Sequence, residues 1–142
     1  MRAERILGPT LSSLFDELPI NDRRHALDVL DTTVRIFPDA PPLLQQAALL
    51  HDIGKRDAQF SVLERSLTVF LKALSPTLLR QVAAMRPAFG NRLRIYEDHA
   101  RIGADRLRAA GATEIAAIVA EHHAEHPALD LTRRLQQADG RN

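Results

Sequence analysis

The chain has no cysteine among its 142 residues, and this absence narrows the chemistry open to it. Disulfide bonds, thiolate nucleophiles and thiolate zinc sites are excluded, so any bound metal must be held by histidine nitrogen and carboxylate oxygen. The sequence also lacks a run of about 20 apolar residues and a basic start followed by an apolar segment and a cleavage site. We therefore expect no membrane span, no signal peptide and a cytoplasmic location.

A charge excess is missing as well. The 19 basic and 18 acidic residues give a formal net charge of +1, so the composition carries no strong signal of nucleic-acid or membrane-surface binding. A hydrophobic fraction of 45% and a length of 142 residues are typical of one globular domain with a sizeable core. The composition leaves the oligomeric state open.

Strict apolar–polar alternation is missing too, whereas apolar residues recur with a period near 3.6 along most of the chain. This pattern predicts an all-α fold. Helices are predicted over residues 8–18, 22–37, 43–52, 61–74, 76–85 and about 93–110, then from 113 and from 128. Residues 55–59 and 86–92 are predicted loops, the second of them basic. Residues 1–20 are expected to form an N-terminal helical extension that packs on a core domain of residues 21–142.

Five of the six histidines and two aspartates fall on apolar helix faces or at helix ends. In the third predicted helix, for example, His51 follows Leu44 by seven residues and Ala48 by three, which places the three side chains on one face. The same rule gives an inward-facing set, with His123 directly after one member: His25, His51, Asp52, His99, His122 and Asp139.

These side chains favour a shared metal site. A single histidine on an apolar face is more often a hydrogen-bonded core residue than a ligand. Five helices that each direct one or two ligand-capable residues inward are better explained by a cation, because a buried carboxylate is costly unless its charge is compensated. The mixed nitrogen and oxygen set suits one or two divalent transition metals; Mn and Fe are favoured, and Co, Ni, Zn or Mg are alternatives.

Two such metals would support hydrolysis at phosphorus. Held about 3.5–4 Å apart, they would lower the pKa of a bridging water toward neutrality and so generate a hydroxide nucleophile. Asp52 and His123 are candidate catalytic groups. Lys55 is a candidate for both catalysis and substrate binding, because it lies just past the predicted helix end at Gly54, where its ammonium can act as a point charge on a phosphoryl oxygen.

Further candidate substrate-binding residues lie in the basic loop and in the helix after it. Arg92 and Arg94 are predicted to clamp phosphate oxygens, and Tyr96, with Phe89, offers a stacking surface for a nucleobase. A solvated loop with ordinary arginines, Arg86 among them, is the alternative interpretation.

Five segments of the sequence resemble the HD-domain metal-dependent phosphohydrolase superfamily, over a span from about residue 21 to 139. They are residues 24–30, 47–55, 98–104, 119–123 and 137–139. The stretch ALLHDIGK, residues 48–55, is the most specific of them. The resemblance implies an all-helical HD-domain bundle in which one metal is held by His25, His51, Asp52 and Asp139.

The further histidines His99 and His122 make the chain similar to the binuclear branch, in which the carboxylate matching Asp52 bridges two metals. His123 either binds metal or acts from outside the ligand shell. The resemblance implies a phosphomonoesterase or phosphodiesterase acting on a nucleotide or another small phosphoester, and in several relatives the lysine matching Lys55 contacts substrate. The Gly-Tyr-Pro signature of cyclic-dinucleotide phosphodiesterases does not follow the paired histidines here.

Three alternatives remain at this level. A branch of the same superfamily uses similar ligands for a di-iron oxygenase, and a metal-containing module could bind nucleotide or partner protein without turnover. The pattern His122-x-x-Glu125-His126 also matches an inverted zinc-protease motif. Pro127 directly follows that motif and leaves little helix to support it, and the motif leaves the other inward-facing residues unexplained. We therefore expect His126 to be exposed or outside the ligand shell.

Overall fold

The regular structure of the described residues consists of helices. The computed structural model describes residues 2–58 and 62–142, and within them no strand occurs, which confirms the all-α prediction. The helices are α1 (Arg2–Asp16), α2 (Ile20–Ile36), α3 (Pro42–Leu50), α4 (Val62–Leu74), α5 (Pro76–Met85), α6 (Pro87–Glu97), α7 (His99–Ala109), α8 (Thr113–Ala120) and α9 (Asp130–Asp139). A 3-10 helix, Ile53–Ala58, lies between α3 and α4.

The main core lies between α2, α3, α7, α8 and α9. Helix α2 packs against α3 and α9, and α7 packs against α8 and the 3-10 helix. Leu30, Leu44, Leu107 and Leu135 are completely buried there. Among the described helices, none is both long and apolar enough to cross a bilayer.

Helix α1 begins earlier than predicted and is interrupted at Gly8, where φ is 69°. Its buried residues recur every four positions (Ala3, Leu7, Leu11 and Phe15) and belong to the main core. The helix packs against α3, and the Gln46 amide donates a hydrogen bond to the Ile6 carbonyl at 2.8 Å. The predicted division of the chain near residue 20 stays a prediction.

The basic loop predicted over residues 86–92 is wrong, because α6 begins there at Pro87. Proline suits the first turn of a helix, where the backbone N–H has no partner to lose. Gly90 reflects a close approach rather than a loop, since a Cβ at this position would lie 2.6 Å from the Ala83 carbonyl oxygen of α5.

The predicted loop over residues 55–59 is a 3-10 helix as far as Ala58. Its predicted end at Gln59, and the predicted helix start at Ser61, lie outside the described residues. Helix α4 then runs alongside α5, and α5 packs against α6. This arrangement gives a second, smaller apolar cluster around Leu79, Phe89 and Leu93.

Candidate metal centre

The candidate ligands converge in one place, and all but one lie at helix ends. Only His25 is inside a helix, α2, where it is half-buried and contacts Asp139 of α9. The others are His51 at the C-cap of α3, Asp52 directly after it, His99 at the start of α7, His122 and His123 just beyond α8, and Asp139 at the end of α9.

Three of the histidine rings are fixed by the same backbone contact. Each places Nδ1 against the carbonyl oxygen three residues earlier, at 2.9 Å for His51, 2.5 Å for His99 and 2.6 Å for His122. These carbonyls belong to the last turns of α3, α6 and α8, where helix carbonyls run out of intrahelical donors. Because a carbonyl only accepts, Nδ1 donates its proton and Nε2 keeps a lone pair, which is the form that binds metal.

A first group of ligand atoms surrounds one side of Asp52. Nε2 of His25 lies 3.0 Å from Oδ1 of Asp139, and Nε2 of His51 lies 3.6 Å from the same oxygen. Nε2 of His51 is also 3.5 Å from Oδ2 of Asp52. Ligand atoms of His25, His51 and Asp52 all lie within 4.8 Å of one another, a spacing that allows one cation to touch all three.

A second group surrounds the other side of the same carboxylate. Ligand atoms of Asp52, His99, His122 and His123 lie within 4.8 Å of one another. Oδ1 of Asp52 is 3.3 Å from Nε2 of His99 and 3.8 Å from Nε2 of His122. The two oxygens of Asp52 therefore face different sets of histidines. His123, whose role the sequence left open, belongs to the second set.

Buried polar atoms in this cluster fit a divalent cation. Nε2 of His51 and Oδ1 of Asp52 are buried and have no hydrogen-bond partner, although such atoms are normally paired. Nε2 of His99 lies 3.3 Å from Nε2 of His122, and neither nitrogen has a proton to share once Nδ1 donates to the backbone. A divalent cation in each ligand group would satisfy these lone pairs.

The electrostatics of the cluster favour ligands in their binding forms. Burial acts to raise the pKa of Asp52, but interactions with the neighbouring imidazoles, His51 first, and with the Lys55 ammonium outweigh it, and the pKa lies well below its usual range. Desolvation, with repulsion from neighbouring histidines, lowers the pKa of His123 to about 4, so this ring is neutral near pH 7. His25 is the exception, because its hydrogen bond with Asp139 raises its pKa and favours the protonated ring, which must lose a proton before it can bind a metal.

Lys55 and Tyr96 lie together at the edge of the ligand cluster. Nζ of Lys55 donates a hydrogen bond to Oδ2 of Asp52 at 2.7 Å and lies 5.5 Å from the centre of the Tyr96 ring. The Tyr96 ring in turn lies 5.9 Å from the His99 ring. The structure thus places the predicted lysine next to the carboxylate shared by both ligand groups.

The predicted arginine clamps have partners within the chain. Arg92 donates a hydrogen bond to Glu64 of α4 at 2.5 Å, and Arg94 donates one to Asn91 at 3.0 Å. Both arginines lie on α6 rather than in a loop. Their binding of substrate stays a prediction.

The sequence interpretation missed an ion pair next to the metal centre. Asp22 lies inside α2, is only 2% exposed and is one turn before His25. Arg65 of α4 binds both of its oxygens, with Nη1 at 2.8 Å from Oδ1 and Nη2 at 2.9 Å from Oδ2. The three-residue spacing between Asp22 and His25 was the available signal, because it places both on one helix face.

The inverted zinc-protease motif has no helix to support it. Helix α8 ends at Ala120, so the segment from His122 to His126 does not place its histidines one helical turn apart. His126 is exposed. This zinc-protease interpretation is therefore excluded on geometric grounds.

A family model described as "Cas3, HD domain" matches residues 23–142, which is most of the chain. The chain belongs to the Cas3 HD-domain family. The part that matches the Cas3 HD domain includes every candidate ligand from His25 to Asp139 and leaves α1 outside. Neither a curated protein nor a solved structure matches the chain.

Membership of the Cas3 HD-domain family confirms the resemblance to the HD-domain superfamily. It also agrees with the buried cluster of histidines and aspartates, which fits a central metal site in an all-α fold. An HD domain indicates a metal-dependent, hydrolytic type of function.

Proposed function

We propose that the protein is a phosphohydrolase that cleaves a phosphodiester bond with water and uses two metal ions that share Asp52. The supporting observation is that the two oxygens of this carboxylate face different histidines. Oδ2 lies 3.5 Å from Nε2 of His51, and Oδ1 lies 3.3 Å from Nε2 of His99. In this proposal one ion is held by His25, His51, Asp52 and Asp139, and the other by Asp52, His99, His122 and His123.

When bound, divalent cations at these positions supply Lewis acidity, which activates water for attack at phosphorus and offsets charge on the phosphoryl oxygens. The chain's own contribution is to hold the ligands in place. The backbone contacts of His51, His99 and His122 keep each Nε2 lone pair directed inward. A protein nucleophile is not needed for such a reaction, which agrees with a chain that has no cysteine.

Lys55 is the side chain best placed to bind a phosphoryl oxygen. Its ammonium is 2.7 Å from Oδ2 of Asp52 and only 14% of the side chain is exposed, so its charge acts in a partly desolvated site. Tyr96 borders the same space and offers a flat surface for a base or a sugar. To bind phosphate, Arg92 would have to give up its hydrogen bond to Glu64, and Arg94 its hydrogen bond to Asn91.

Nucleic acid is the substrate class that family membership favours, because the Cas3 HD domain is a nuclease. A nucleotide or another small phosphoester is the second candidate, favoured by the formal net charge of only +1. The two candidates differ in whether the enzyme must hold several nucleotides of a strand next to the metal centre.

The test is turnover by protein loaded with Mn. Single-stranded DNA and RNA oligonucleotides, bis-p-nitrophenyl phosphate and nucleoside mono- and diphosphates would be incubated separately and the products separated by chromatography. We expect cleavage of the oligonucleotides and of the diester. Phosphate release from mononucleotides, with intact oligonucleotides, would assign the small-molecule class. A metal-loaded protein that turns over none of these substrates would contradict the hydrolase proposal.

Asp52→Asn is the decisive variant, because it weakens a ligand that both ions share. We expect loss of bound metal and of turnover. Asp57→Asn is the matched control, since Asp57 lies in the same 3-10 helix and its side chain is 65% exposed. An Asp52→Asn protein with unchanged turnover would remove this carboxylate from the reaction.

A further inference from the structure

Most of the described apolar side chains of helix α4 face outward, the reverse of the usual amphipathic arrangement. Arg65 and Thr68 lie on its inner side, where Arg65 pairs with Asp22 and Thr68 is only 2% exposed. Most of the large apolar side chains that the described residues expose are on α4 and α5. These outward residues, here called the α4–α5 patch, are Leu63, Leu67, Val69, Phe70, Leu74, Leu78 and Met85.

The centre of the α4–α5 patch has the spacing of a helix-packing seam. Leu63, Leu67, Phe70 and Leu74 follow one another by four, three and four residues, the pattern by which one helix packs along another. Over this distance the seam is about 16 Å long. Met85 widens the patch on the α5 side.

The area of the α4–α5 patch matches that of a stable interface. Its side chains are 44% to 81% exposed. Their exposed fractions correspond to roughly 800 Å² of residue surface, backbone included, which is about what one partner contributes to a standard-size interface.

The charges of α4 do not oppose pairing of two identical seams. Glu64 contacts Arg92 of α6, and Arg65 contacts Asp22 of α2. The ammonium of Lys72 lies 4.0 Å from Glu97. Because the seam residues themselves are uncharged, two copies can face each other without burying like charges.

We propose that the α4–α5 patch is a homodimer interface, in which the α4 helices of two copies pack antiparallel across a two-fold axis. The seam is symmetric about its midpoint, so Leu67 of one copy meets Phe70 of the other, and Leu63 meets Leu74. In such an interface the same patch is buried on both copies at once. This inference does not depend on the proposed function, because its residues lie outside the metal centre.

The test is the association state of the full chain, measured by sedimentation equilibrium across the micromolar range. We expect a dimer whose dissociation constant rises by at least about tenfold in Leu67→Glu and in Phe70→Glu, because each places a charge against apolar residues of the second copy. Ile20→Glu is the matched control and should leave the dimer unchanged. Ile20 is 73% exposed but lies on α2, outside the patch.

Two results would overturn the homodimer. The first is a monomer at every concentration, which would leave the patch to a different partner. The second is a dimer that persists in both glutamate variants. Leu67→Ser, which adds no charge, should weaken the dimer in the same direction, and circular dichroism with metal analysis would verify that each variant is folded.

Discussion

Gly54 lies so close to the backbone of His99 that no side chain fits between them. A Cβ on Gly54 would lie 1.9 Å from the His99 carbonyl oxygen and 2.7 Å from the Gly103 amide nitrogen. This contact packs the 3-10 helix that follows Asp52 directly on the start of α7. Because Asp52 and His99 belong to the same candidate ligand group, the missing side chain at residue 54 lets these two residues approach each other.

Gly54→Ala should therefore damage both stability and metal binding. We expect a loss of roughly 2–4 kcal/mol in the free energy of unfolding, because the overlap can be relieved only by moving backbone. Chemical denaturation and elemental analysis would measure the two effects. Asp57→Ala, in the same 3-10 helix, should change stability by about 0.5 kcal/mol or less. A Gly54→Ala protein with parental stability and full metal content would contradict the argument.

The two ligand groups predict a specific metal stoichiometry. His25→Ala and His99→Ala each remove a ligand from one group only, so each variant should lose one of two metal equivalents. Asp52→Asn should lose both. His126→Ala, at an exposed position outside both groups, should lose neither. Elemental analysis of protein dialysed against trace Mn would distinguish these cases, and equal losses in the two single-histidine variants and in Asp52→Asn would indicate one shared ion instead.

Lys55→Gln should slow turnover without removing metal. A charged hydrogen bond to a phosphoryl oxygen contributes about 1.5–3 kcal/mol, so kcat/KM should fall by roughly 10- to 100-fold. The chain's other lysine, Lys72, is 67% exposed, and Lys72→Gln is the matched control. If Lys55→Gln instead lost its metal while its affinity for substrate stayed unchanged, the role of the lysine would be to position Asp52 and not to bind phosphate.

The pair of Asp22 and Arg65 predicts strong coupling between α2 and α4. Arg65→Ala leaves a buried carboxylate uncompensated and should cost roughly 2 kcal/mol, less than for a fully buried pair because a third of the Arg65 side chain is exposed. The double variant with Asp22→Ala should cost less than the sum of the single variants. The exposed pair of Arg101 and Asp98, treated in the same way by denaturation, should show almost no coupling.

Much of this fold could be predicted from the sequence, because the 3.6-residue apolar period directly reflects helices with one buried side. The errors arose where one residue type is compatible with two kinds of local structure. Pro87 and Gly90 indicate a loop when taken alone, yet they begin a helix and allow a close approach to Ala83. Residues 2–7 were not predicted as helix, since their helix is interrupted at Gly8.

The sequence predicted that these histidines and aspartates converge, but it did not predict how they are arranged around Asp52. The spacing of His25, His51 and His99 on apolar stripes shows that they point inward, but it does not show which of them share an oxygen of Asp52. Which histidines face which oxygen depends on the angles at which α3, α7 and α9 cross. These angles cannot be predicted from a single sequence. His123 joins the second group for the same reason.

The contact between His25 and Asp139 joins residues 114 positions apart in the chain. A nascent chain would therefore have nearly all of these helices outside the ribosome before its first and last ligands could meet. In the two-metal proposal, the first ligand group is therefore complete only once α9 has packed against α2. A chain that lacks α9 would lack Asp139 and would leave His25, His51 and Asp52 without the carboxylate that His25 contacts.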